Sequence, residues 1–175
     1  MKKKVIGMIP SRMNSTRFPG KALALILGKP MIYWVYKSAS KVKKLDEIFV
    51  ATSDKEIEEC CNKYNITCIC NETNETTAAQ KIAIESDNLD GDIYINIQGD
   101  EPLIDSGAIE SIIDAMINDE SLEYVGLKSK ITNEEEFYDR NVVKVVVDNN
   151  NFAMYFSRSP IPYEFEYGKA YRVMG

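Results

Sequence analysis

Apolar and polar positions follow a repeating order along this chain: a short apolar run, a polar turn, then a segment with helical spacing. Residues 4–9, 47–52, 66–70 and 92–97 are apolar runs too short for core helices, which predicts buried strands of a parallel sheet. Between them, 30–43, 54–64 and 76–86 carry apolar residues at three- and four-residue intervals, which predicts helices. Ser53-Asp54 precedes the second helix, with Glu56 in its first turn, a start signal in which a short polar side chain serves an orphan backbone N–H. A fourth helix is predicted over 105–118, capped by Asp105 or Ser106. Then come a strand near 122–129, a short acidic helix near 133–139 and two β-rich runs at 142–148 and 152–157. Asp148-Asn149-Asn150-Asn151 between those runs is a hairpin-turn signal. Alternation followed by a hairpin predicts an α/β fold, mostly parallel, with a late antiparallel hairpin. No repeat or low-complexity linker interrupts the chain, so 1–175 reads as a single domain.

Composition narrows the chemistry. A net charge of −6 argues against bulk nucleic-acid binding and makes any cationic cluster conspicuous. No apolar stretch is long enough to span a bilayer. Lys2-Lys3-Lys4 ahead of an apolar run resembles a signal peptide, but the run is too short and enters a charged loop, so a cytoplasmic location is expected. The chain has 4 cysteines and no histidine, which removes every Ser-His and Cys-His mechanism. Cys60, Cys61, Cys68 and Cys70 lack paired C-x-x-C spacing and read as free core thiols. Tyr33-Trp34-Val35-Tyr36 reads as core packing on a helix, and Glu134-Glu135-Glu136 as a solvated helix start.

Two loops concentrate the chemistry. Val5-Ile6-Gly7-Met8-Ile9 ends in Pro10-Ser11-Arg12-Met13-Asn14-Ser15-Thr16-Arg17-Phe18-Pro19-Gly20-Lys21. Three cations, small polar side chains and a Pro-Gly break at the end of a buried strand form an anion-binding loop, where backbone N–H groups and cations meet phosphate oxygens. Ligands of open α/β sheets sit at that edge. The second loop, Gln98-Gly99-Asp100-Glu101-Pro102, follows the strand at 92–97 and leaves from the same edge. Asp100 is placed to hold Mg²⁺ against phosphate oxygens, since hard cations take carboxylate plus substrate phosphate. A turn that only caps the next helix is the alternative; beside the cationic loop, the metal reading is favoured. Neither G-x-x-x-x-G-K-[ST] nor G-x-G-x-x-G is present, which argues against P-loop hydrolysis and dinucleotide redox chemistry.

Residues 9–21, Gly28-Lys29-Pro30-Met31-Ile32 and Val50-Ala51-Thr52-Ser53-Asp54 resemble the sugar-acid cytidylyltransferases. The blocks at 98–104, 141–148 and 155–162 are most similar to the branch that activates 3-deoxy-manno-octulosonate for lipopolysaccharide. The resemblance implies a three-layer α/β/α, Rossmann-like nucleotide-diphospho-sugar transferase fold. It also implies transfer of CMP from CTP to a 3-deoxy sugar acid with release of pyrophosphate. Arg12 and Lys21 match triphosphate-binding positions, Pro10, Ser11 and Gln98 the surroundings of the cytidine, Asp100 a catalytic Mg²⁺ ligand, and Arg158 a block facing the substrate. The pattern departs over Glu75–Lys81: the family's His-x-Ser-Gly-Thr-Glu-Arg loses its His and Gly, and Lys81 replaces the arginine as the substrate-binding cation. The family continues past the position of Gly175 with a further metal-binding Asp and dimerisation surfaces, so a C-terminally shortened chain and a homodimer are expected. A nucleotidyltransferase for another surface-polysaccharide sugar, or an inactive nucleotide-binding fragment, is the alternative.

Overall fold

β1 (Val5–Pro10) is the spine of the chain's first part because it is apolar on both faces. The structure, a computed structural model, describes residues 2–15, 18–72 and 77–174. Its contacts divide the chain into two units, Met1–Glu123 and Tyr124–Gly175.

In the first unit β1 is followed by a 3-10 turn (Lys21–Leu23), a two-stranded ribbon of β2 (Leu25–Ile26) and β3 (Lys29–Pro30), and α1 (Met31–Ala39). Then come β4 (Glu47–Thr52), α2 (Lys55–Lys63), β5 (Cys68–Cys70), α3 (Ala78–Ser86), β6 (Ile93–Asn96) and α4 (Ser106–Asn118). The main sheet has the order β5-β4-β1-β6 and every pairing is parallel. Val5, Ile9 and Val50 share one core with Ile32 and Val35 of α1, Ile57 and Cys61 of α2, and Ile109 and Ile113 of α4. Ile6, Met8 and Ala51 face the other way, toward Ile82 of α3 and Leu89. Helices on both faces of a parallel sheet make the expected three layers and explain why its strands lack a polar face. Register places Pro10 beside Ala51 and Met8 beside Asn96, so the loops after β1, β4 and β6 leave one edge. The crevice outside β1, where strand order switches direction, is the ligand position of such sheets.

Local chemistry moves several boundaries. α1 stops at Ala39 rather than 43, because past Ser40 the backbone tightens: the N–H groups of Lys41 and Val42 donate to the Ser38 and Ala39 carbonyls, three residues back, at 3.1 and 3.0 Å. Val42 is buried beyond that stop, which kept the helical spacing alive in the sequence. Asp54 occupies the N-cap position of α2 without capping it; its carboxylate accepts instead from the Met13 N–H at 2.7 Å. Asp105 caps α4 as expected, accepting from Gly107 N–H at 3.0 Å. Thr77 and Gln80 form a reciprocal capping box on α3. Val35 is buried and Tyr33 and Tyr36 pack on the core, while Trp34 Nε1 donates to the Ile26 carbonyl at 2.7 Å. All four cysteines are free.

The second unit comprises β7 (Lys128–Lys130), α5 (Glu134–Tyr138), β8 (Lys144–Val147), β9 (Ala153–Ser157) and β10 (Tyr171–Val173). Its sheet has the order β7-β10-β8-β9, antiparallel throughout and separate from the parallel one. Ile131, Phe137 and Ala170 form its core with Val142 and Phe165. The strand expected at 122–129 exists only at Lys128–Lys130, where β10 pairs with it. The hairpin signal at 148–151 is used directly: Asp148 Oδ1 accepts from the N–H of Asn150 and of Phe152, both at 2.8 Å, and Asn151 is left-handed at φ 68°. Lys144 is fully buried inside β8. Its ammonium donates to the carbonyls of Asp139 (2.7 Å), Val142 (2.9 Å) and Arg158 (3.0 Å), and burial holds it below the ordinary lysine pKa. Among the described residues no helix is long and apolar enough to cross a membrane.

Candidate functional site

A cleft of about 260 Å³ opens at the carboxyl edge of the parallel sheet. The end of β1 supplies Pro10, Ser11 and Arg12, and the 3-10 turn supplies Lys21 and Ala22. The start of α3 adds Thr77, Ala78 and Lys81, and the loop after β6 adds Gln98, Gly99 and Asp100.

Backbone contacts fix these loops. Ser11 N–H donates to the Ala51 carbonyl at 2.9 Å, extending the β1–β4 ladder one residue past the strand. The Asp54 carboxylate holds Met13, and Gly20 N–H returns to the Met13 carbonyl at 2.9 Å. Gly20 is left-handed at φ 70°, a conformation that favours glycine, and it turns the chain so that Lys21 enters the cleft. On the other side, Ile97 N–H donates to the Met8 carbonyl at 2.8 Å. Two residues later a Cβ on Gly99 would lie 2.8 Å from the Pro10 carbonyl oxygen and 2.8 Å from Ser11 Oγ. Only a glycine lets the two loops touch there, and that contact brings Asp100 beside the cationic loop.

Opposite charges meet inside. Lys21 and Asp100 form a direct ion pair, their side chains 30% and 41% exposed. Glu101, the next residue, has its carboxyl pushed above the ordinary value, first by burial and then by the Asp100 charge. Lys81 lines the cleft but is 3% exposed. Its ammonium donates to Ser53 Oγ (3.1 Å) and the Asn71 carbonyl (2.8 Å) and pairs with Glu85 at 3.1 Å. Glu85 is itself buried and accepts from Asn71 Nδ2 at 2.7 Å. Ser11 Oγ is buried with no hydrogen-bond partner among the described residues.

Pro10, Ser11, Arg12, Lys21, Lys81, Gln98 and Asp100, all singled out from sequence, therefore line one cleft. Arg158 belongs to the second unit, where its Nη1 donates to the Arg140 carbonyl at 3.0 Å. Arg17, Glu75 and Thr76 lie outside the described residues. Sequence reasoning missed the Asp54–Met13 anchor and the Ser53–Asn71–Lys81–Glu85 network. The i,i+4 spacing of Lys81 and Glu85 was the one available signal for the network. Among the described residues no three His, Cys, Asp or Glu side chains are grouped to hold a metal unaided. Asp100 offers hard oxygen donors beside the cationic loop, a donor set that fits Mg²⁺ bound by one or two carboxylates plus substrate phosphates.

Residues 6–173 match the family described as cytidylyltransferase. The 3-deoxy-manno-octulosonate cytidylyltransferase of Trichlorobacter lovleyi is 42% identical over 159 residues, covering 91% of this chain and 63% of that protein. The enzyme of the same name from Fusobacterium nucleatum is 44% identical over 161 residues, covering 91% and 65%. The chain thus spans less than two thirds of the length of these relatives. A solved structure of CMP:2-keto-3-deoxy-manno-octonic acid synthetase complexed with CTP superposes with a TM-score of 0.92 at 35% identity, over 98% of this chain and 72% of that one.

Proposed function

We propose that this chain, which belongs to the cytidylyltransferase family, serves the transfer of CMP from CTP to a 3-deoxy sugar acid of the manno-octulosonate type. The observation that carries the reading is the single cleft in which the cationic loop after β1 meets the Gln98-Gly99-Asp100 loop after β6. Its likeness to a synthetase complexed with CTP supports the choice of nucleotide.

The anomeric hydroxyl oxygen of the sugar acid attacks the α-phosphorus of CTP and forms a P–O bond, the bond from that phosphorus to the bridging oxygen breaks to release pyrophosphate, and the hydroxyl proton passes to solvent. No covalent nucleophile is needed, so positioning and charge neutralisation suffice. Arg12 and Lys21 take the triphosphate oxygens and offset the charge that grows on departing pyrophosphate. Gln98 and the backbone around Pro10 and Ser11 receive the cytidine; a side-chain amide can both donate to and accept from the cytosine edge. The buried, unpartnered Ser11 hydroxyl supports a ligand at this wall. Asp100 would hold Mg²⁺, which when bound supplies charge neutralisation at phosphate oxygens. Lys81, which lines the cleft, is the cation for the sugar carboxylate. The engagement of Lys81 with Glu85, Ser53 and Asn71 favours, as a second reading, an acceptor sugar of another surface polysaccharide.

A second copy of the chain is the proposed partner and the cytoplasm the proposed location. β9 ends the antiparallel sheet with Met154, Tyr155 and Phe156 exposed, and an apolar edge strand favours association. Pyrophosphate release, with CTP or UTP against a panel of sugar acids, tests the assignment. Release is expected with CTP and 3-deoxy-manno-octulosonate. Equal release with UTP overturns the nucleotide assignment, and release only with another sugar selects the second reading.

A further inference from the structure

We infer that Lys21 is the stand-in for the divalent cation at Asp100, so that triphosphate on Lys21 and metal on Asp100 each break the same ion pair and thereby favour each other. The inference rests on the reading above, in which Lys21 takes triphosphate and Asp100 takes metal.

The pair joins residues 79 positions apart in sequence, from two loops that backbone contacts hold in place. Lys21 sits in a 3-10 turn whose Leu23 N–H donates to the Gly20 carbonyl at 3.0 Å and whose Ala24 N–H donates to the Lys21 carbonyl at 3.1 Å. Asp100 follows the glycine that touches Pro10 and Ser11. Neither backbone needs to move for the contact to form or break; only the flexible lysine stem must swing. A lysine ammonium is a compact point charge with three donors, able to exchange one oxygen anion for another. While it sits on Asp100 it occupies carboxylate lone pairs that a hard cation requires. A triphosphate offers the ammonium several charged oxygens in place of one carboxylate. Once Lys21 has turned to them, the Asp100 carboxylate oxygens are open to a divalent cation. Linkage makes the effect reciprocal: metal on Asp100 frees Lys21 for phosphate by the same factor. The pair is 30% and 41% exposed, and ion pairs of that kind shift an equilibrium by a factor of roughly 1.5 to 5.

Binding titrations on the full chain test this without turnover. Mn²⁺ is titrated into nucleotide-free protein and followed by electron paramagnetic resonance, and CTP is titrated calorimetrically in the presence of EDTA. Lys21→Met should raise Mn²⁺ affinity by the same factor of about 1.5 to 5, and the gain should vanish in the Lys21→Met/Asp100→Asn double variant. Asp100→Asn should tighten metal-free CTP by a similar factor, and only when Lys21 is present. The inference is overturned if Lys21→Met leaves Mn²⁺ affinity unchanged while Asp100→Asn lowers it; the metal assignment then stands alone. It is equally overturned if Asp100→Asn tightens CTP in the Lys21→Met background, which is plain relief of repulsion. Mn²⁺ binding that ignores Asp100→Asn altogether removes the underlying metal reading instead.

Discussion

Gly99→Ala places a methyl carbon 2.8 Å from the Pro10 carbonyl oxygen and 2.8 Å from Ser11 Oγ, where ordinary contact begins at 3.4 Å. The Ser11 hydroxyl can rotate away. The Pro10 carbonyl cannot, because it belongs to the last residue of β1 and the next N–H is bonded to Ala51. The two loops must therefore part by about 0.6 Å, the shortfall from ordinary contact. Forcing one carbon into a packed contact costs about 1–3 kcal/mol of stability. The functional cost arises separately, because Arg12 and Lys21 lie on one loop and Gln98 and Asp100 on the other. A misplacement near 1 Å can reduce catalysis on the order of 10²-fold, so about 0.6 Å should cost roughly tenfold. Urea unfolding gives the first quantity, and pyrophosphate release in the full chain gives the second. Gly107→Ala is the control, since its Cβ would meet nothing closer than 3.5 Å and lies in the first turn of α4. Alanine there should be neutral or stabilising by up to about 1 kcal/mol. A Gly99→Ala protein with the wild-type urea midpoint and wild-type turnover would refute the reasoning.

Other expectations reach different parts of the molecule. Arg12→Ala and Lys21→Ala should each weaken CTP binding by roughly tenfold or more, the scale of a charge-assisted hydrogen bond, as read by calorimetry. Glu101 binds its proton more tightly folded than unfolded, so its contribution to stability falls as pH rises from the ordinary glutamate range through the raised folded value. Glu101→Gln should accordingly raise the Tm at pH 7 and leave it unchanged below that window. Cys61 is buried, and its thiol donates to Cys68, which together with burial holds it protonated. An aromatic disulfide reagent should label the partly exposed thiols first and reach Cys61 only at the rate of unfolding. Lys144→Met leaves three carbonyls without their donor and should destabilise the second unit by about 3 kcal/mol, at roughly 1 kcal/mol per unmade bond. Hydrogen exchange across β7 to β10 reads that loss.

The parallel half was legible because its signals are local. Val5-Ile6-Gly7-Met8-Ile9 cannot be a half-exposed strand, and Asp105 has one obvious use ahead of an apolar helix. The two chemical loops were visible because strand ends and glycines mark where side chains converge. What stayed hidden depends on partners distant in sequence. Asp54 reads as a helix cap until the Met13 N–H competes for it. Lys144 reads as the polar position of a strand, and nothing nearby announces three carbonyls converging on it. β7 falls at Lys128–Lys130, past most of the stretch expected as a strand, because the pairing with β10 defines its limits. Lys81 could be named as a cleft residue, but its bond to Ser53 spans 28 positions and lies beyond any spacing rule.

The place of β10 between β7 and β8 has a consequence for synthesis. The described strands of the parallel sheet are encoded within the first unit, so they can pair while the remainder is still being translated. β7 has no such option: its hydrogen-bonding partner is Tyr171–Val173, and at roughly 5–20 residues per second it waits a few seconds for that partner to emerge. Through that interval the β8–β9 hairpin also lacks its inner neighbour. The second unit is therefore the late-folding part of the chain, and the part that a ribosome-bound chaperone would need to shield.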